Sequence, residues 1–174
     1  ASVYGVPQRV PIDENHPGEP INAYGESKLM FERILEWFAR AYKIKYIALR
    51  YFNAAGASLL LGEDHNPETH LIPNVLKAAL RPGATVPIYG LDHDTKDGSC
   101  IRDYLHVIDI ARAHSLALSS IESVNRRAYN LGNDIGYSNL EVVNLAREIT
   151  DVDIPTKAAP RRIGDPPVLI ADSK

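Results

Sequence analysis

The feature that most constrains the fold of this chain is an alternation of short β-rich runs with amphipathic stretches of helical length. The strongest run, "IKYIALRYF", is almost continuously apolar, which is typical of a strand buried in a parallel sheet. Two shorter runs, "TVPIYG" and "RAYNLG", are also predicted strands. Strands that alternate with helices of about ten to fifteen residues indicate βαβ units, so the predicted class is α/β.

Four stretches show the apolar periodicity of helices. The longest covers residues 24 to about 42, and its apolar positions are Leu29, Phe31, Ile34, Leu35, Phe38 and Tyr42. "THLIPNVLKAAL" predicts a helix capped by Thr69 that ends before "RPG", and "HVIDIARAHSLALSSI" predicts another. In "SNLEVVNLAREIT", Ser138 is the predicted cap, and Glu141 completes a capping box.

The connections are rich in turn-forming residues. Residues 6–22 hold four of the twelve prolines and predict a loop, and residues 53–68 predict a long excursion without periodicity. "LDHDTKDGSCIRDY" predicts a polar loop, and "AAPRRIGDPP" a surface loop, because proline cannot donate to a sheet ladder. The stretch "ASVYGV" predicts the end of a strand, and together with "VLIADSK" it suggests a fragment of a longer chain.

Composition narrows the classes of function. The 174 residues are 45% apolar and 24% charged, without a repeat or a linker, and predict one globular unit. The net charge of −3 with mixed signs offers no basic stripe for nucleic acid. No apolar run approaches the roughly 20 residues that cross a bilayer. Cys100 is the single cysteine and cannot form an internal disulfide, which favours a reducing compartment, the cytoplasm.

The stretch "AYGESKLMFE" places a tyrosine and a lysine one helical turn apart. Tyr24 and Lys28 are therefore predicted to share a helix face. An ammonium beside a phenol favours the phenolate, which would let Tyr24 act as a general base. A chance pairing among nine tyrosines is the alternative. The position after a strand end and a loop favours catalysis, because active sites of open α/β sheets lie there.

Motifs along the whole chain resemble those of a known family. "ASVYG", "YGESK", "LRYFNAAGA", "HLIP", "CIRDYLHV", "YNLG" and "PRRIGD" occur in this order. This set resembles the extended short-chain dehydrogenase/reductase family, and "RYFNAAGA" with "GEDHNPETHLIP" favours its nucleotide-sugar 4-epimerase branch. The resemblance implies a Rossmann-like parallel sheet with a small α/β substrate-binding portion. Residues 1 to about 56 would be the second half of the NAD-binding domain. Residues from about 57 to 174 would mostly bind substrate, with one strand–helix stretch returning to the sheet.

The resemblance also implies a reaction, the NAD-dependent interconversion of UDP-glucose and UDP-galactose. Tyr24 would be the acid/base group, and Lys28 would bind the nicotinamide ribose and acidify the phenol. The sugar would be oxidised at C4, turned over as the 4-keto form and reduced on its opposite face. Tyr51 and Phe52 match positions beside the nicotinamide, although strand alternation assigns one of them to the core. Family members commonly dimerise through the helix after Tyr24, so a homodimer is expected.

The same resemblance assigns residues to a UDP-sugar substrate. Arg102 and Arg162 match clamps for the diphosphate, and a guanidinium fork suits that ligand. The alternative for each arginine is a surface ion pair, with Asp103 or Asp165 as a nearby partner. Asp165 also matches a residue that binds the uridine ribose. A carboxylate suits this role, since it accepts hydrogen bonds from paired hydroxyls.

Four further positions match substrate contacts in the family. They are Asn53 for the nucleotide sugar, His70 and Leu71 for the phosphates, and Tyr89 for the uracil. Ordinary turn chemistry is the alternative for Asn53, and packing is the alternative for Tyr89. Leu169 matches a wall position that influences sugar size, so epimerases of UDP-N-acetylhexosamines or UDP-pentoses stay open.

The chain departs from the family pattern in two places. It contains no G-x-x-G-x-x-G turn for the NAD pyrophosphate, and Gly132 and Gly136 have the wrong spacing. The family's catalytic serine or threonine would lie two positions before Ser2, about 6.6 Å away along a strand, so Ser2 is not predicted to replace it. Alone, the chain is therefore expected to be inactive. A dehydratase, a decarboxylase or a non-catalytic nucleotide-sugar module are the alternatives.

An acid-rich segment between two predicted elements contains several metal-ligating residue types. These are Glu63, Asp64, His65, Glu68 and His70. Their spacing fits no closed zinc or calcium loop, so a solvated loop without a metal is predicted.

Overall fold

The computed structural model describes residues 1–124 and 127–174, and within them it shows mixed α/β architecture. The helices are a 3₁₀ helix at Ser2–Tyr4, α1 (Ala23–Tyr42), α2 (Leu71–Ala79), α3 (Val107–Ser120) and α4 (Asn139–Thr150). The strands are β1 (Ile47–Tyr51), β2 (Asn53–Ala55), β3 (Val86–Tyr89), β4 (Ile101–Arg102), β5 (Tyr104–His106), β6 (Arg127–Leu131), β7 (Tyr137–Ser138), β8 (Thr156–Ala159) and β9 (Val168–Leu169). The α/β class is confirmed.

Most strand pairs are parallel, as the alternation of elements predicts. β1 pairs with β6, β2 with β5 and β3 with β8, all in parallel. β4 lies between β9, which is parallel to it, and β7, which is antiparallel. β1 pairs only with β6 in the described residues and is half-buried, so the expectation of a fully buried strand is wrong.

Side chains and caps fix the helices. Asn22 Oδ1 accepts from Gly25 N at 2.8 Å and begins α1. The predicted capping box of α4 is confirmed, since Ser138 Oγ accepts from Glu141 N and Glu141 Oε2 from Ser138 N. Arg50 in β1 donates to both carboxylate oxygens of Glu32, at 2.9 and 2.6 Å. This two-point contact holds α1 against β1.

The predicted cap of α2 is wrong by one residue. His70 occupies the cap position, without a side-chain cap bond. Glu68 Oε1 instead accepts from the backbone N–H groups of Thr69 and His70, each at 2.8 Å. The Glu68 carboxylate therefore binds the backbone just before α2, and no side chain caps the helix itself.

Several short elements differ from the sequence prediction. Ser2–Tyr4 is a 3₁₀ helix, not a strand end, because Tyr4 is buried and donates to Asn130 Oδ1 on distant β6 at 2.6 Å. β2 begins the predicted excursion, β4 and the start of β5 lie in the predicted polar loop, and β8 takes the alanines of the predicted surface loop. Each of these strands pairs with a segment far along the chain.

Two apolar clusters form the interior. The first joins the 3₁₀ helix, α1 and the last strand, and contains Val3, Tyr4, Ile12, Leu29, Phe52, Leu169 and Ala171. The second joins α2, β3 and α4, and contains Val75, Ala78, Val86, Ile88, Val143 and Ile154. Because Phe52 and Leu169 share one cluster, segments on both sides of residue 56 pack together, and the division into two domains stays a prediction. Among the described residues, no helix is both long and apolar enough to cross a bilayer.

Candidate active site

A cleft of about 930 Å³ opens between the beginnings of α1 and α3, β2 and the segment before β9. We call it the main cleft. Its lining includes six residues singled out from the sequence, namely Tyr24, Phe52, Asn53, His70, Arg102 and Asp165. The structure therefore brings the acid/base candidate and three of the phosphate and ribose candidates, His70, Arg102 and Asp165, to one cavity.

The remaining candidates line two adjoining cavities. Lys28 and Tyr51 line one of about 460 Å³, which shares Tyr24 with the main cleft. Leu71, Tyr89 and Arg162 line another of about 380 Å³, which shares Asp165 with the main cleft. The sequence candidates thus form a continuous path from the first turns of α1 to β3.

Tyr24 and Lys28 occupy the same face at the start of α1. Lys28 Nζ lies over the Tyr24 ring, 5.1 Å from its centroid, and the Tyr24 residue is 62% exposed. The predicted proximity is confirmed, and the catalytic roles stay predictions. Gly25 sets the position of this turn, because a Cβ there would lie 2.3 Å from the backbone oxygen of Ser2. Only a residue without a side chain permits that approach.

Ser2 lines both the main cleft and the cavity that contains Lys28. It belongs to the 3₁₀ helix, so the strand spacing that set it apart from the catalytic position does not apply. The structure therefore places a hydroxyl-bearing residue at the cleft that Tyr24 also lines.

Tyr51 ends β1 and is exposed, whereas Phe52 follows the strand and is buried, so one of the two is a core residue, as predicted. Phe52 is buried in the first apolar cluster and lines the main cleft. The Tyr51 hydroxyl lies 3.0 Å from His114 Nε2 on α3, beside the Lys28 cavity. Phe52 is thus both a core residue and a cleft wall.

Arg102 is paired with a carboxylate at the far side of the main cleft. Its side chain is 8% exposed, Nη2 donates to Asp165 Oδ1, and Nη1 donates to the Ile101 carbonyl at 2.8 Å. The ion-pair alternative weighed for Arg102 is therefore present, with Asp165 as the partner. The pair is buried on the arginine side and is not a surface contact.

Asp103 has a different function from the one considered in the sequence. It is fully buried and accepts from the backbone N–H groups of Asn133, Asp134 and Ala171 at 2.8 to 3.1 Å. Burial raises the pKa of its carboxyl, against the lowering effect of these donors. Gly132 lies so close that a Cβ there would come within 2.5 Å of Asp103 Oδ2. Asp103 is the single residue between β4 and β5, and the sequence prediction did not include its buried role.

Arg162 stacks on Tyr89. The guanidinium carbon lies 4.0 Å from the ring centroid, and Nη2 donates to the Thr69 carbonyl at 3.2 Å. Tyr89 is the last residue of β3, and Arg162 lies in the segment after β8. A guanidinium held over an aromatic face keeps its donors at the edge free for an anion.

Asn53 and His70 both line the main cleft. Asn53 begins β2, and its backbone N–H donates to the Asp103 carbonyl at 2.9 Å. His70 precedes α2, and its Nδ1 lies 2.9 Å from Glu68 Oε1 and 2.6 Å from Glu63 Oε1. Leu71, the first residue of α2, lines two cavities next to the main cleft.

Comparison with known families defines the class. Residues 1–132 match the NAD dependent epimerase/dehydratase family, which is well over half of the chain. The chain belongs to this family. The resemblance that the motifs carry is therefore confirmed at the level of the family.

Several similar proteins within the family are named UDP-glucose 4-epimerase. The UDP-glucose 4-epimerase of Lactobacillus helveticus is 52% identical over 176 residues, covering 99% of this chain and 53% of that protein. The UDP-glucose 4-epimerase of Lacticaseibacillus casei is 50% identical over 177 residues, covering 100% and 54%. The structure of the Bifidobacterium longum UDP-glucose 4-epimerase in complex with NAD⁺ and UDP has a TM-score of 0.92 at 40% identity, covering 99% and 53%. This chain spans about half the length of these relatives.

Proposed function

We propose that this chain supplies the acid/base pair and the nucleotide-sugar pocket of a UDP-glucose 4-epimerase. The reaction interconverts UDP-glucose and UDP-galactose and belongs to galactose metabolism. One observation carries the proposal: Tyr24, Arg102 and Asp165 line the same cleft. A single ligand bound there would contact both the proposed base, Tyr24, and the proposed anion-binding group, Arg102. The names and folds of the relatives support it.

Tyr24 moves the proton in the proposed reaction. As a phenolate it accepts the proton of the sugar 4-hydroxyl, and it returns the proton after the 4-keto sugar has turned over in the cleft. The Lys28 ammonium lies over the Tyr24 ring, 5.1 Å from its centroid, and places a positive charge beside the phenol. The exposure of Tyr24 at the cleft leaves its hydroxyl accessible to a substrate.

The residues present fit one end of NAD. Lys28 would hold the nicotinamide ribose beside Tyr24, and Tyr51 and Phe52, which line the two adjoining cavities, would lie near the nicotinamide. A bound NAD would supply the hydride chemistry at sugar C4. The 174 residues contain no G-x-x-G-x-x-G turn, so we assign the NAD pyrophosphate to no residue of this chain.

The other end of the cleft would bind UDP. Arg102 and Arg162 would bind the diphosphate, and Asp165 would accept from the ribose hydroxyls once Arg102 turns towards phosphate. Tyr89 would pack on the uracil, and Asn53, His70 and Leu71 would complete the contacts to the sugar and phosphates. On ligand binding, Arg102 would thus exchange the Asp165 carboxylate for a phosphate.

A homodimer in the cytoplasm completes the proposal. The outer face of α1 exposes large apolar side chains, namely Phe31, Ile34, Trp37, Phe38 and Tyr42. Covering such a face removes apolar surface from water, and a second copy would cover it with the same residues. Cys100 is a free, buried thiol, in keeping with a reducing compartment.

Two measurements test the function. Calorimetric titration of UDP and UDP-glucose into the chain should show binding, which Asp165→Ala weakens. The protein expressed from its full reading frame should convert UDP-galactose to UDP-glucose in the presence of NAD, in a coupled assay. Binding without conversion by that longer protein would favour a non-catalytic nucleotide-sugar module. Running UDP-N-acetylglucosamine and UDP-arabinose in the same assay tests the sugar range at the wall that Leu169 forms.

A further inference from the structure

Four metal-ligating side chains converge in the segment between β2 and α2. Glu63, His65, Glu68 and His70 each offer one ligand atom, and these atoms all lie within 4.8 Å of one another. Their sequence spacing predicts no closed metal loop. The segment nevertheless folds back on itself before α2, so that His65 and His70 bring their rings to 5.1 Å between centroids.

The cluster holds more hydrogen-bond acceptors than protons to share. Glu63 Oε1 lies 2.8 Å from His65 Nδ1 and 2.6 Å from His70 Nδ1. His70 Nδ1 also lies 2.9 Å from Glu68 Oε1. An imidazole Nδ1 carries at most one proton, so it cannot donate well to two carboxylates. A cation at the centre would satisfy the lone pairs that a single proton cannot.

Glu68 provides a second, independent observation. Its side chain is only 5% exposed, and Oε2 has no hydrogen-bond partner among the described residues. Lys77 Nζ is 3.8 Å from that oxygen, too far for a hydrogen bond. A buried carboxylate oxygen that has a distant ammonium but no hydrogen-bond partner is uncommon, and a bound cation would complete its contacts.

We propose that Glu63, His65, Glu68 and His70 bind a structural Zn²⁺ ion. Two imidazole nitrogens and two carboxylate oxygens form an N/O set that suits zinc, and four protein ligands close a tetrahedron. Ligand atoms of a tetrahedral zinc lie about 3.3 Å apart, given Zn–N and Zn–O distances of about 2.0 Å. His70 Nδ1 and Glu63 Oε1 are 2.6 Å apart, and all four ligand atoms lie within 4.8 Å of one another, so binding of the ion would require movements of these side chains.

The proposed ion would fix one wall of the main cleft. Glu63, His65 and His70 all line that cleft, and His70 leads directly into α2. With His70 Nδ1 on the metal, the ring proton sits on Nε2 and is available to an anion in the cleft. The zinc site itself does not depend on the proposed epimerase activity.

Metal binding by the untagged chain tests the site. After removal of metals with a chelator, the chain should take up one Zn²⁺, as measured by elemental analysis after gel filtration. Glu63→Gln and His65→Ala should each lower the Zn²⁺ affinity at least tenfold in calorimetry. Co²⁺ in place of zinc should give the intense visible absorption of a tetrahedral site, and His65→Ala should remove it.

Asp64→Asn is the matched control. Asp64 lies between Glu63 and His65, and Asp64→Asn removes one negative charge, as Glu63→Gln does. Asp64, however, contributes no ligand atom to the cluster. It should retain the wild-type Zn²⁺ affinity. Equal losses in Asp64→Asn and Glu63→Gln would indicate diffuse attraction by an acidic loop and overturn the proposal. So would the absence of stoichiometric Zn²⁺, or a preference for Ca²⁺, provided that circular dichroism shows each variant folded.

Discussion

The two ends of the main cleft hold their functional side chains by different means. At the α1 end, Tyr24 is exposed, and its place depends on the backbone, through the Asn22 cap and the close approach of Gly25 to Ser2. At the far end, the side chains hold one another. Arg102 is buried against Asp165, and Arg162 stacks on Tyr89.

This difference separates two kinds of effect. A phenol that must reach a sugar hydroxyl gains from exposure, and its geometry can be changed by small shifts of α1. The arginines already have a negative or aromatic partner, so a diphosphate gains only the difference between the old partner and the new one. Changes at the first end should alter the rate, and changes at the second end should alter affinity.

The largest expected effect is the loss of turnover on removing the Tyr24 hydroxyl. In the protein expressed from its full reading frame, Tyr24→Phe should lower kcat by about 10²- to 10⁴-fold, the range of general acid–base catalysis. UDP affinity should stay within about twofold. Tyr42→Phe, at the other end of the same helix, should leave kcat unchanged. A Tyr24→Phe enzyme with near-normal kcat would remove the acid/base role and the contrast between the two ends.

The next effect concerns the anion end. Arg162→Ala removes a charged donor, and hydrogen bonds to charged groups contribute about 1.5–3 kcal/mol, so UDP affinity should fall about ten- to 150-fold in calorimetry. The neighbouring Arg161→Ala is the control, because Arg161 pairs with Asp92 and donates to its carboxylate at 2.7 Å. Equal losses in the two variants would point to general charge attraction.

A smaller effect should follow from filling the space beside Gly25. Gly25→Ala places a Cβ against the Ser2 carbonyl and must displace the first turn of α1. Such overpacking costs about 1–3 kcal/mol, measurable as a lower free energy of unfolding in urea. In the protein expressed from its full reading frame, kcat should fall more than UDP affinity. Gly62→Ala, where the nearest atom would be 3.8 Å away, should change neither. A fall in UDP affinity alone would contradict the assignment of α1 to the chemical step.

The smallest expected effect is a pH dependence of the free energy of unfolding that originates at Asp103, next to Arg102 in the sequence. Burial raises the pKa of Asp103 above its ordinary value of 3.8, so the folded chain binds a proton that the unfolded chain has released. Stability from this group is therefore present at low pH and lost as pH rises through the raised pKa. Relative to Asp103→Asn, the wild type should gain free energy of unfolding as urea titrations move from pH 7 towards pH 4. A difference that is constant with pH would contradict this.

Local signals were sufficient for the longer elements. The periodicity of α1, the apolar run of β1 and the Ser138–Glu141 capping box each act within a few residues, and the structure contains all three. The Tyr24–Lys28 proximity was likewise a matter of one helical turn. The sequence therefore predicted the α1 end of the cleft well.

The rest depends on contacts between distant segments. β4 and β9 have two residues each and exist because they pair with each other, a relation that no local pattern encodes. The Arg102–Asp165 pair spans 63 positions, and the buried acceptor role of Asp103 needs three backbone groups from two other segments. The cluster around His70 arises from a fold-back that ligand spacing alone does not show.

The outward position of Trp37 on α1 makes the chain its own optical probe. It is the only tryptophan among the 174 residues, it is 67% exposed, and it lies on the face that a second copy would cover, away from the main cleft. Its fluorescence should therefore shift to the blue with rising protein concentration and stay silent when UDP is added. Self-association and ligand uptake can thus be read separately from one unlabelled sample.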